Sequence, residues 1–81
     1  MDYNRLKWAS RRGMLELDLI LLPFVEKAYP TLSADWQQIF ADLLLCEDQD
    51  LFAWLLNRQE PEDENFAKMV RMIRDYAQKK S

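Results

Sequence analysis

Charged side chains of both signs flank the only glycine of this 81-residue sequence. Arg11 and Arg12 precede Gly13, and Glu16 and Asp18 follow it. Because glycine has no side chain, the backbone of a partner could approach closely there, and the flanking charges could form directional hydrogen bonds around it. Arg12 and Glu16 are also four residues apart, a spacing that allows a local ion pair worth about 0.2–0.5 kcal/mol. The spacing alone leaves recognition and local pairing both open.

Ordinary catalytic and metal chemistry is disfavoured by the residues that the chain lacks. It has no histidine, so it cannot form a Ser-His-Asp or Cys-His pair. The lone Cys46 can form no internal disulfide and supplies too few thiolates for a structural zinc site, so we expect a small buried apolar residue. Glu16 and Asp18 are two apart and point to different sides of a helix, which argues against an acid/base pair, even with Glu26 nearby. The sequence therefore predicts a protein without enzymatic activity and without a bound metal.

The net charge of −3 is unevenly distributed. Residues 1–12 carry a net charge of +3, residues 13–66 carry −10, and residues 67–81 carry +4. An acidic middle between basic ends differs from the continuous basic stripe of a nucleic-acid-binding protein. This distribution favours a protein partner over nucleic acid.

The elements that position these residues are predicted to be helices. Six β-branched residues stand against thirteen Leu, seven Ala and four Met, and one glycine is too few for the tight turns of a small sheet protein. At this length the chain forms a single domain, residues 1–81. The longest apolar run, residues 19–25, is far shorter than the roughly 20 residues that span a bilayer. The prediction is an all-α bundle of five helices that does not span a membrane, with a frayed end over residues 79–81.

The first two helices are predicted over residues 4–12 and 14–28, with Gly13 where helices often end in a left-handed residue. Pro23 lies inside the second helix, where it removes a backbone donor, so we expect a kink there. The second helix is apolar over much of its circumference, which predicts a central position in the bundle. Its apolar rows are Leu15, Leu19 and Leu22, widened by Leu17, Ile20, Leu21 and Phe24.

Three further helices follow. Ser33 is predicted to cap the third, Glu47 or Asp48 the fourth, and Pro61 is predicted at the first helical position of the fifth. The fourth helix is expected to end before a turn at residues 57–59. The apolar rows of these helices are Trp36, Ile39, Phe40, Leu43 and Leu44; then Leu51, Phe52, Trp54, Leu55 and Leu56; then Phe66, Met69, Val70, Ile73 and Ala77.

The string from Arg12 to Glu16 resembles the RGxxE signature of the SdhE, or succinate dehydrogenase assembly factor 2, family. The resemblance spans nearly the whole chain in order. It continues through Glu16-Leu17-Asp18, Pro23-Phe24, Leu32-Ser33 and the stretch from Asp48 to Leu55.

This resemblance implies a five-helix, non-catalytic assembly factor. Such proteins bind the flavoprotein subunit of succinate dehydrogenase, and in bacteria that of fumarate reductase, and promote the covalent histidyl-FAD bond. The histidine and the FAD then belong to the partner, and we expect this chain to bind no cofactor stably. Carried over by position, the partner-binding residues are Arg12, Gly13 and Glu16, with Asp18 and Arg11 beside them. Trp8 and Trp54 are weaker candidates, because large aromatic residues serve both small cores and interfaces.

One alternative is an antitoxin-type or other interaction module acting on a membrane-associated partner, a role also attributed to the same family. A second is weak contact with nucleic acid through a basic and aromatic patch, although no DNA-binding motif is recognisable. The patch comprises Arg5, Lys7, Arg11 and Arg12 with Tyr3 and Trp8. The N-terminus shows no export signal, so we expect a cytoplasmic protein that is a monomer when free.

Overall fold

The computed structural model describes residues 3–79 and forms an all-α fold, as predicted, with no strand in that range. Its helices are α1 Tyr3–Ser10, α2 Leu15–Pro23, α3 Ala34–Leu43, α4 Asp48–Leu55 and α5 Glu64–Lys79. The predicted frayed end is helical at Lys79, and residues 80–81 lie outside the described range. No helix within residues 3–79 is long and apolar enough to cross a membrane.

The helical path of α2 changes its hydrogen-bond pattern directly after Pro23. The chain continues as a π-helical turn, Phe24–Ala28, and a 3₁₀ turn, Tyr29–Thr31. The backbone N–H of Tyr29 donates to the carbonyl of Phe24, five residues back. Because proline has no N–H to offer, the regular ladder is interrupted there and the following turn widens. A π turn therefore follows Pro23, where a kink was predicted, and the helical path reaches Ala28 as expected.

Only one side of α2 is buried, which corrects part of the sequence prediction. Leu17 and Leu21 are fully buried, and Phe24 and Val25 in the π turn continue this side into the core. Leu15 and Leu19, predicted to share the core, are exposed. The helix packs against α1, α4 and α5, and a bundle this small has no further element to cover its opposite side.

All five helices and the π turn contribute buried residues to the core. Ser33 caps α3 as predicted, because its Oγ accepts a hydrogen bond from the N–H of Trp36 at 3.4 Å. Phe40 of α3 is fully buried and packs on the ring of Phe24, with centroids 5.2 Å apart. Opposite them, α5 contributes its buried row Met69, Val70 and Ile73. The contact between Phe24 and Phe40 joins the end of α3 to the π turn that follows α2.

The start of α5 differs from the prediction. Pro61 is buried but lies three residues before the helix, which begins at Glu64. Asp63 provides the cap instead, because its Oδ1 accepts a hydrogen bond from the N–H of Phe66 at 3.0 Å. Pro61 thus belongs to the connection from α4.

Arg58 in this connection has a left-handed backbone, with φ of 58°. The conformation reverses the chain after α4 and lets the N–H of Gln59 donate to the carbonyl of Ala53 at 3.0 Å. Left-handed geometry costs an L-residue about 1–2 kcal/mol, and glycine avoids that cost while losing more entropy on folding.

We therefore expect Arg58→Gly to stabilise the fold by about 0.5–1 kcal/mol, seen in thermal unfolding as a Tm higher by about 4 °C. Arg58→Ala is the matched control, since it removes the same side chain but keeps the Cβ. Equal stabilisation by both variants would contradict a backbone origin.

Candidate partner-binding site

The corner between α1 and α2, residues 11–14, is called the Gly13 corner here. Gly13 has φ of +77°, a conformation that L side chains rarely adopt. A Cβ added at Gly13 would have no atom within 4 Å. Glycine is therefore required by the backbone geometry rather than by internal crowding, and the space beside it is open to a partner.

The side chain of Arg12 points into the bundle, although the resemblance implies that Arg12 is a partner-binding residue. Its Nε donates to Asp48 Oδ1 at 2.7 Å, and the Arg12 side chain is only 15% exposed. The other guanidinium nitrogens donate to three backbone carbonyls. These are Ala9 at 2.9 Å, Leu44 at 2.8 Å and Cys46 at 2.7 Å. Within the described part of the chain Arg12 thus pairs with Asp48 rather than with Glu16.

Asp18 is turned toward the backbone of the corner. Its Oδ1 accepts a hydrogen bond from the N–H of Arg12 at 2.9 Å. The N–H of Arg11 still donates to a backbone carbonyl of α1, that of Trp8. The N–H of Arg12 donates to the Asp18 side chain and not to a helical carbonyl. This exchange is why α1 ends at Ser10 and not at residue 12 as predicted.

Four neighbouring residues remain open to solvent and form what is called the Gly13 face, namely Gly13, Leu15, Glu16 and Leu19. Leu15 is 69% and Leu19 is 66% exposed. Glu16 and Leu19 are three apart and Leu15 and Leu19 four apart, so these side chains adjoin on one side of α2. Among residues 3–79, the side chain of Glu16 forms no hydrogen bond or ion pair. The face therefore combines an open backbone corner, two apolar side chains and one free carboxylate.

The two tryptophans differ in their surroundings. Trp8 is 72% exposed on α1, beside a surface groove of about 540 Å³ that also includes exposed Arg11. Trp54 is partly buried and packs on Phe66, with ring centroids 6.4 Å apart. The interpretation of these tryptophans as partly buried packing residues is therefore confirmed for Trp54 and wrong for Trp8.

The basic patch near Trp8 is weaker than its sequence suggests. Arg12 is turned inward, and Lys7 lies 3.5 Å from Glu26. The Tyr3 side chain lies outside the described part of the structure. Arg12 and Lys7 are thus engaged within the chain, and Arg5 also takes part in an interaction.

Cys46 lies partly buried at the end of the connection from α3 and packs against the core, where full burial was expected. Burial, and next the negative charge of Asp50, raise the pKa of the Cys46 thiol, while the Arg12 guanidinium opposes them. A raised pKa lowers the thiolate fraction, and the thiolate is the reactive form. Over residues 3–79, no cluster of three or more metal-ligating side chains occurs.

The sequence did not indicate the contact between Arg12 and Asp48. Asp48 was considered only as a possible helix cap, whereas Glu47 occupies that position and Asp48 binds Arg12. Arg12 and Asp48 are 36 residues apart, so no local spacing could indicate that they form a pair. The sequence also does not indicate that Leu15 and Leu19 are exposed, because α2 is apolar over much of its circumference. The assignment of Arg11, Gly13, Glu16 and the other site residues to a partner stays a prediction.

Comparison with known proteins identifies the relatives of this chain. The family model described as Sdh5, flavinator of succinate dehydrogenase, matches residues 4–77. A Pseudomonas aeruginosa protein named FAD assembly factor SdhE is 56% identical, over 95% of this chain and 92% of its own length. Proteins of the same name from Pseudomonas putida and Idiomarina loihiensis are 51% and 50% identical, over 98% and 89% of this chain and 94% and 80% of theirs. The chain therefore belongs to the Sdh5 family of succinate dehydrogenase flavinators, the FAD assembly factors.

Proposed function

We propose that this chain binds the flavoprotein subunit of succinate dehydrogenase, and that of fumarate reductase, and promotes covalent attachment of FAD to each. Support comes from the family match over residues 4–77 and from relatives named FAD assembly factors. The chain contributes no histidine of its own, so the linking histidine belongs to the partner. It acts in the cytoplasm as a monomeric helper, without a stably bound cofactor or a catalytic residue.

The observation that carries the proposal is the Gly13 face. Its backbone corner has open space on the outer side, so a partner can come within van der Waals distance of the main chain. The exposed Leu15 and Leu19 supply apolar area to bury. Glu16 supplies a charge that can pair with a cation of the flavoprotein once water is excluded. The exposed Trp8 and Arg11 extend the contact along α1.

Such a protein can accelerate flavin attachment without supplying a nucleophile. The reaction requires the partner's histidine and the flavin carbon that it joins to lie close together and in line. Holding the flavoprotein in the arrangement that aligns them converts a rare conformation into a populated one. The Gly13 face binds and orients the partner, and the reacting groups all belong to the partner.

The test is covalent flavin fluorescence of the purified flavoprotein subunit, supplied with FAD, in the presence and absence of this chain. We expect a clear increase in covalently bound flavin when the chain is present. The same flavoprotein with its linking histidine replaced is the control and should show no signal. An unchanged signal with the unaltered flavoprotein would contradict the proposed function.

A pull-down from lysate separates this function from the antitoxin-type and nucleic-acid alternatives. Recovery of a flavoprotein subunit is the expected result. Recovery of nucleic acid or of a membrane-associated partner in its place would contradict the proposal.

A further inference from the structure

We infer that Asp48 is a positioning residue for flavin assembly, and that Arg12 acts within the chain as a clamp rather than as a contact to the flavoprotein. The inference rests on the proposed function. It assigns a role to a residue outside the RGxxE string and changes the role expected for the arginine inside it.

The clamp joins three parts of the chain that are distant in sequence. Arg12 reaches the carbonyl of Ala9 in α1, the carbonyls of Leu44 and Cys46 in the connection between α3 and α4, and the carboxylate of Asp48. Carbonyls at a helix end lack helical partners, and here a guanidinium satisfies them. One planar side chain thereby fastens the Gly13 corner to the connection between α3 and α4 and to the start of α4.

Arg12 has little left to offer a partner. A guanidinium carries five N–H groups, and the four contacts above occupy most of them. With only 15% of the side chain exposed, an outside carboxylate could reach it only after these bonds break. A partner that bound Arg12 directly would therefore have to break the hydrogen bonds that form the clamp.

Asp48 supplies the counter-charge that keeps the clamp closed. Within residues 3–79 it is the one carboxylate that contacts the Arg12 guanidinium, and the other three acceptors of that group are neutral carbonyls. Carboxylate acceptors hold a guanidinium about twice as strongly as neutral ones. Loss of Asp48 leaves a mostly buried cation without a charged partner, and this favours release of Arg12 into water.

The clamp determines how Gly13 and Glu16 are presented. The side chain of Arg12 is fixed by Asp48, and its backbone N–H is fixed by Asp18. Gly13 is the next residue, and Glu16 lies in the first turn of α2. An open clamp leaves the corner free to adopt other conformations, so that only a fraction of molecules is ready to bind. The apparent affinity then falls by that fraction.

The test compares Asp48→Ala with Asp50→Ala. Both residues lie in the first turn of α4, so the two variants lose the same charge near the same helix end, but only Asp48 contacts Arg12. We expect Asp48→Ala to raise the concentration of the chain that half-saturates flavin attachment at least fivefold, with the maximal rate retained. Asp50→Ala should change it less than twofold. Equal effects of the two variants would overturn the inference.

Two further variants distinguish an open clamp from an unfolded chain and from an independent role of Arg12. Asp48→Asn keeps an oxygen acceptor and should restore part of the loss, provided that thermal unfolding shows both Asp48 variants folded at the assay temperature. The double variant Arg12→Ala/Asp48→Ala should be no weaker than Arg12→Ala alone. If the losses caused by the two single substitutions added up fully in the double variant, Arg12 would act independently of Asp48, and the clamp would be wrong.

Amide hydrogen exchange on the isolated chain tests the clamp without the flavoprotein. The N–H of Arg12, which donates to Asp18, should exchange at least tenfold faster in Asp48→Ala, while Asp50→Ala leaves its exchange unchanged. Unchanged exchange in Asp48→Ala would overturn the inference. Because this readout does not depend on flavin attachment, failure of the proposed function and failure of the clamp are distinguishable.

Discussion

Gly13→Arg is expected to abolish flavinylation by this chain while leaving it folded. The corner has φ of +77°, so any L-residue there is strained by about 1–2 kcal/mol, which a helical domain of this kind can survive. Nothing within 4 Å obstructs a new Cβ, so the arginine side chain extends outward. There it occupies the space that the partner's backbone requires, and we expect binding to weaken at least tenfold, about 1.4 kcal/mol or more.

The measurements are covalent flavin fluorescence, binding by calorimetry and helicity by circular dichroism. Gly13→Asn separates strain from bulk, because asparagine tolerates the left-handed region better and has a shorter side chain. Its effect should be intermediate. Ala34→Arg, which adds the same side chain to an exposed position at the start of α3, should bind normally. Normal flavin incorporation with Gly13→Arg would show that the Gly13 corner does not face the flavoprotein.

Glu16→Ala is expected to weaken binding to the flavoprotein by about 2–5 kcal/mol, because it leaves the partner's cation desolvated and unpaired. Among residues 3–79 the Glu16 side chain has no internal partner, so its charge is available without breaking any bond. For the same reason the free energy of unfolding should change by only about 0.5 kcal/mol or less. Loss of the favourable interaction between Glu16 and the dipole at the start of α2 adds a contribution of similar size.

Asp35→Ala is the matched control for Glu16→Ala. Asp35 is also an exposed acid in the first turn of a helix, α3, and lies outside the Gly13 face. Calorimetric titration of the flavoprotein subunit should show a large loss for Glu16→Ala and none for Asp35→Ala. If the two variants bind alike, the contribution of Glu16 is only general surface charge, and its place in the site is wrong.

Local features of the structure follow closely from the sequence. The scarcity of β-branched residues and glycine predicts helices, and Ser33 caps α3 as its position before an amphipathic stretch indicates. The only glycine marks the corner between α1 and α2, because a left-handed residue is needed there. Each of these features depends on residues within a few positions of one another, where backbone sterics and short hydrogen bonds decide the outcome.

Other features required the packed bundle. The sequence of α2 is apolar over much of its circumference, and only the positions of α1, α4 and α5 decide that Leu17 is buried while Leu19 is exposed. Pro61 suits a helix start, yet the cap formed by Asp63 places that start three residues later. In these cases several local arrangements are nearly equal in free energy, and tertiary contacts select one.

By itself the sequence determined an all-α chain, the corner at Gly13 and, through its resemblance, the family. Only the tertiary structure decided which charges of that corner face outward. In the sequence Arg12 and Glu16 are equally plausible contacts for a partner. In the structure Arg12 donates to acceptors 32, 34 and 36 residues away and points inward, whereas Glu16 is exposed to solvent. The physical reason is that the end of α3 leaves carbonyls without partners beside the corner, and a guanidinium can satisfy them where a carboxylate cannot.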